Sequence, residues 1–158
     1  MKQRLENIIR TLKANNQTIT MAESCTGGQI TAAFTSIAGV SNVFHGACVT
    51  YSNEIKHLWL GVKEKTLEQH GAVSQQCVEE MLHGIQYKAS SDYAIAVSGI
   101  AGPDGGSTEK PVGTVYIGVL SPTEMMVERY QFEGDREAVQ KAAVKHAIYL
   151  LEKNLEKS

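Results

Sequence analysis

The chain has 158 residues, 42% of them hydrophobic, which suits a single domain spanning 1–158 that buries its core without staples. With 15 basic residues against 17 acidic ones the net charge is -2, so there is no general footprint for a polyanion and nucleic-acid binding is not expected. No stretch nears the roughly 20 apolar residues of a membrane span, and the start of the chain lacks the apolar run of a signal peptide. The scattered Cys25, Cys48 and Cys77 fit a reducing cytoplasm.

In chain order, Leu5, Ile8, Ile9 and Leu12 recur at helical spacing and predict an amphipathic helix that ends at Asn15-Asn16-Gln17. Thr18 to Ala22 reads as a short strand. After Gly27-Gly28, residues Ile30, Ala33, Phe34 and Ile37 predict a helix reaching Gly39. Phe44 to Tyr51 is rich in strand formers, while Asn53 to Leu60 and Glu64 to His70 predict two short helices parted by Gly61. Ser74 is placed to cap a helix running to about Ala89, with Val78, Met81, Leu82 and Ile85 on its apolar face. Asp92 to Ser98 is a nearly unbroken apolar run, as in a central strand covered on both faces. Val112 to Leu120 and Met125 to Phe132 flank Ser121-Pro122-Thr123 as a hairpin, and Arg136 to Leu155 returns to helical spacing. The fold class expected is α/β: a three-layer α/β/α sandwich on a mixed, mostly parallel sheet of about five to six strands.

Three segments could carry chemistry. Glu23-Ser24-Cys25-Thr26-Gly27-Gly28 falls where a strand ends and a helix begins, the edge at which α/β sheets bind ligands. Unpaired N–H groups at a helix start can hold an anionic oxygen, and two glycines permit close approach. Spacing alone equally allows Ser24 or Thr26 to be a helix cap, and Cys25 to be a rival nucleophile or an inert thiol. Lys56, at the end of Thr50-Tyr51-Ser52-Asn53-Glu54-Ile55-Lys56, could serve as a general base if desolvated. It could also be an ordinary surface charge, with Ser52 or Glu54 as its partner. The loop Ser98-Gly99-Ile100-Ala101-Gly102-Pro103 follows the central strand without a phosphate-loop sequence, so it is either a binding loop or a plain connection. Arg136 could clamp a phosphate or pair with Asp135 or Glu137. The five histidines form no metal motif, so neither metal nor organic cofactor is expected; Trp59, with Leu58 and Leu60, is expected in the core.

The ordered strings AESCTGG, TYSNEIK, GAVS, SGIAGPDGGS, EKPVGTV and FEGDR, from about Leu5 to Leu151, resemble the CinA C-terminal-domain family, which includes stand-alone nicotinamide-nucleotide amidohydrolases. The resemblance implies hydrolysis of nicotinamide mononucleotide to nicotinate mononucleotide and ammonia in pyridine-nucleotide salvage, without a cofactor. It makes Ser24 the nucleophile and Lys56 its base. It also places Glu23, Cys25, Thr26, Gly27, Gly28, Tyr51, Gly99, Ile100, Ala101, Gly102 and Arg136 around the substrate. The partner implied is a small nucleotide, with no nucleic acid and no membrane; homo-oligomerisation is left open. Where stand-alone amidohydrolases carry another basic residue after GDR, this chain has Gln140 followed by Lys141. A nucleotide-binding module without catalysis, or an interaction protein linked to competence or DNA repair, would be the alternative.

Overall fold

In the computed structural model, which describes residues 1–157, Leu5, Ile8, Ile9 and Leu12 form the buried face of helix α1 (Lys2–Ala14). Ser158, the last residue of the expected domain, lies outside the described residues. Strand β1 (Ile19–Glu23) is buried at every position. Helix α2 (Gln29–Thr35) stops short of Gly39, because Ile37 N–H bonds back to Phe34 three residues earlier and Gly39 then takes φ of 88°. Strand β2 is only Cys48–Val49, shorter than the expected Phe44 to Tyr51. Phe44 makes an isolated bridge to Ile19, and Thr20 Oγ1 donates to the Gly46 carbonyl at 2.7 Å, so side-chain bonding replaces the ladder there.

Helices α3 (Asn53–Leu60), α4 (Glu64–His70) and α5 (Gln75–Ala89) follow, and Ser74 Oγ caps α5 by accepting from Cys77 N–H at 3.1 Å. Strand β3 (Tyr93–Gly99), the hairpin β4 (Thr114–Leu120) and β5 (Met125–Gln131), and helix α6 (Arg136–Glu156) complete the described chain. The sheet order is β2-β1-β3-β4-β5. β1 pairs in parallel with β2 and β3, whereas β4 is antiparallel to both neighbours, so every strand but β4 runs one way.

Alternation along β3 divides the core into two layers. Tyr93, Ile95 and Val97 join the cluster beneath α1, α2 and α6, whereas Ala94 and Ala96 join the one beneath α5. Small residues line the α5 face because that helix packs close. A Cβ on Gly118 of β4 would stand 2.7 Å from Leu82 Cδ1 and 2.9 Å from Val78 Cγ1. The three-layer α/β/α arrangement is thus the expected one.

One core expectation fails. Leu60 is buried, but Leu58 is 63% and Trp59 51% exposed, because α3 turns Lys56 and Leu60 inward, four residues apart on one face. Among the described residues no helix is long and apolar enough to cross a membrane.

Candidate active site

Strands β1, β2, β3 and β5 all point the same way, so the segments leaving them gather at one edge of the sheet. The chain runs from β1 to β2 on one side of it and then crosses to β3 on the other, so β1 sits at the switch point where such sheets open a crevice. Ser24 is the first residue beyond β1.

Glu23 organises the turn that carries Ser24. Its side chain is fully buried, and its carboxylate accepts from Thr26 Oγ1 at 2.6 Å, Gly28 N–H at 3.2 Å, Ile30 N–H at 3.0 Å, and Thr31 N–H and Oγ1 at 2.8 and 2.7 Å. The Glu23 carboxylate thereby caps α2 from inside, where the helix dipole stabilises its negative charge. This corrects two sequence readings. Neither Ser24 nor Thr26 is the cap of α2, and the N–H groups of Gly28, Ile30 and Thr31 are taken by Glu23 rather than free for an anion. Gly27 and Gly28 adopt φ of 58° and 100°, conformations that carry the chain from strand to helix and that a side chain would strain. Replacing Glu23 with Gln turns a donor toward these N–H groups, and stability should fall by about 2 kcal/mol in urea denaturation. An unchanged midpoint would show that the carboxylate charge is not what holds the turn.

Lys56 comes from the first turns of α3 and is 1% exposed; Ser24 is 6% exposed. Lys56 Nζ donates to Ser24 Oγ at 3.0 Å and to the Tyr51 carbonyl at 2.9 Å. Ser52, a possible alternative partner, instead caps α3 by accepting from Ile55 N–H at 3.1 Å, and Glu54 is exposed. Among the described residues Lys56 makes no ion pair with a carboxylate. Burial therefore lowers its affinity for a proton below that of an ordinary lysine, opposed only by Cys77 and Cys25. Those thiols could favour the ammonium form only as thiolates. Desolvation pushes Cys25 up to about 12 and Cys77 up to about 11, so both stay neutral at pH 7 and neither offsets the burial. The same shift makes Cys25, only 4% exposed, a poor rival nucleophile.

The remaining expected residues frame this pair. The Ile100 backbone is tied to the start of β4 through bonds to Thr114 and Gly113 at 2.9 and 2.8 Å. Arg136, first residue of α6, spans from that loop to the segment between β2 and α3: Nη1 donates to the Gly102 carbonyl and Nη2 to the Tyr51 hydroxyl, both at 2.7 Å. It pairs with neither Asp135, which caps α6, nor Glu137, which bonds Lys141. Tyr51 keeps 58% of its surface open. Gly99 and Ile100 are half-buried, and Ala101 and Gly102 are buried. Two contacts escape sequence reasoning: Thr31 on Glu23, and Gln140 Nε2, which donates to the Cys25 carbonyl at 2.9 Å. Nothing local in the sequence marks either contact. No group of three His, Cys, Asp or Glu that could hold a metal occurs among the described residues.

This geometry defines a class: a three-layer α/β protein that presents a serine to a buried lysine at the switch point of its sheet. A profile of the CinA C-terminal domain matches residues 1–155, and the chain belongs to that family. It is 57% identical over 129 residues to the nicotinamide-nucleotide amidohydrolase PncC of Enterobacter agglomerans, covering 81% of this chain and 79% of that protein. It is 46% identical over 150 residues to a CinA-like protein of Thermotoga neapolitana; the match takes in 95% of this chain but spans only 36% of that longer relative. A crystal structure of a competence-damaged protein (CinA) superfamily member from Klebsiella pneumoniae superposes with a TM-score of 0.95 at 39% identity, covering 99% of this chain and 98% of the other.

Proposed function

We propose that residues 1–158 act as one domain, an amidohydrolase that converts nicotinamide mononucleotide and water to nicotinate mononucleotide and ammonia through an acyl-enzyme on Ser24. The observation that carries this reading is the buried Lys56, in no ion pair among the described residues, with its amine 3.0 Å from Ser24 Oγ. A neutral amine has two hydrogens and one lone pair. One hydrogen is held by the Tyr51 carbonyl, leaving the lone pair free to take the serine proton.

Ser24 Oγ attacks the carboxamide carbon as its proton passes to Lys56, and a tetrahedral intermediate forms. Lys56 returns the proton to the amide nitrogen, the C–N bond breaks and ammonia leaves. Water then attacks the Ser24 ester with Lys56 again as base, freeing the carboxylate product. The exposed Tyr51 ring and the loop from Gly99 to Gly102 are the walls offered to the pyridine ring, and Cys25 and Thr26 contribute backbone N–H groups. The compartment that fits three free cysteines is a reducing cytoplasm. Incubation with nicotinamide mononucleotide, with ammonia and nicotinate mononucleotide measured together, tests the proposal. Binding without either product would leave a nucleotide-binding module in its place.

Arg136 is the candidate grip for the phosphate, since its guanidinium keeps N–H groups beyond the two it spends on Gly102 and Tyr51. Arg136→Ala should raise KM for the mononucleotide about tenfold or more, and raise it far less for the phosphate-free riboside. Equal losses on the two substrates would reduce Arg136 to a strut between the Gly102 loop and Tyr51.

A further inference from the structure

Among the described residues the turn after Ser24 leaves two adjacent N–H donors without an oxygen acceptor. Ser24 C=O accepts from Gly27 N–H at 3.0 Å and Thr26 C=O from Gln29 N–H at 3.0 Å, while Gly28, Ile30 and Thr31 give their N–H groups to Glu23. Among the described residues Thr26 N–H has no acceptor, and Cys25 N–H lies only against its own thiol, with no oxygen to receive it. Neighbouring N–H groups left open in a turn form an anion-binding concavity, and the N–H directly after a nucleophilic serine is a common oxyanion donor.

The two donors are not held alike. The Ser24–Cys25 peptide, which carries Cys25 N–H, is fixed by the turn's own bond to Gly27. The Cys25–Thr26 peptide, which carries Thr26 N–H, has its carbonyl bonded, among the described residues, only by Gln140 Nε2, reaching across from α6 at 2.9 Å. A peptide is planar, so anchoring its C=O fixes the opposite direction of its N–H. A hydrogen bond to the carbonyl also polarises the group and makes its N–H the stronger donor.

We infer that Gln140 is a positioning residue: through the Cys25 carbonyl it aims and strengthens Thr26 N–H as an oxyanion donor to the intermediate formed on Ser24. This rests on the amidohydrolase reading, but the donor would serve any acyl transfer to Ser24. Gln140 thus works on the transition state and not on ground-state binding or the proton affinity of Lys56.

The test compares Gln140→Met, which keeps length and loses the donor, Gln140→Lys, which restores a donor, and Gln140→Glu, which sets an acceptor against the carbonyl. Two readouts are taken: steady-state release of ammonia from nicotinamide mononucleotide, and acetylation of Ser24 by 4-nitrophenyl acetate, followed as nitrophenolate and by intact mass. Gln140→Met should lower kcat and the acetylation rate alike, by about tenfold, with KM and the pH profile unmoved. Gln140→Glu should fall at least as far, and Gln140→Lys should recover most of the loss. A change confined to KM, a displaced pH profile, unaltered acetylation, or a Lys variant no better than Met would each overturn the inference. If wild type acetylates Ser24 in a Gln140-dependent way but releases no ammonia, the amidohydrolase reading falls and the positioning role stands.

Discussion

Lys56→Arg should abolish turnover, lowering kcat by about 10³- to 10⁴-fold, the scale of losing a general base, while nicotinamide mononucleotide still binds. Arginine keeps a positive charge but does not release its proton in the working pH range, so a role as base cannot survive the change and a role as fixed charge can. In wild type the sign of the pH effect follows from burial. Desolvation lowers the affinity of Lys56 for a proton, the free amine grows as pH rises through that lowered value, and kcat/KM for the mononucleotide rises with it. The rising limb should lie below the roughly 10.4 of a free lysine, and it should vanish in the variant. Lys56→Met adds a control on folding. It removes an ionisable group that no carboxylate among the described residues compensates, so stability at pH 7 should stay within about 1 kcal/mol of wild type or exceed it while activity is lost. Substantial turnover by Lys56→Arg would move the role of base to another group.

What the sequence disclosed and what it hid divide along physical lines. Helices α1, α5 and α6 were legible because their apolar residues recur with the period of the helix, and β3 because a strand covered on both faces has no polar alternation to lose. Helix α3 was legible as a helix, but of the three residues expected in its core only Leu60 is buried. Hydrophobicity turns Leu58 and Trp59 inward, whereas the chain buries Lys56 and exposes both. A local rule broken at a charged residue is what a working site looks like in a sequence, since chemistry there outweighs patterning. The strand around Cys48 was overextended because β propensity says nothing about whether a partner is within reach. Glu23 and Gln140 show the other limit. A carboxylate before a Gly-Gly turn can face a ligand or its own helix, and a glutamine 115 residues from Cys25 carries no local mark of the carbonyl it meets.

Ser24→Ala should carry the largest effect, a loss on the order of 10⁴- to 10⁶-fold in kcat, because no acyl-enzyme can form without the hydroxyl. The fold should survive it. Glu23, not Ser24, caps α2, and among the described residues the serine hydroxyl bonds only Lys56, so stability should drop by no more than about 1 kcal/mol. Binding of the mononucleotide should persist, since the loop from Gly99 to Gly102, Tyr51 and Arg136 are untouched. Cys25→Ser is the matched control: it places a hydroxyl one residue along the turn, where the thiol is buried and pushed up to about 12. It should keep most activity, because the part assigned to Cys25 is its backbone N–H, which the substitution retains. Inverted results, with Cys25→Ser inactive and Ser24→Ala active in folded protein, would make the thiol the nucleophile and leave the 3.0 Å bond from Lys56 to Ser24 without a catalytic purpose.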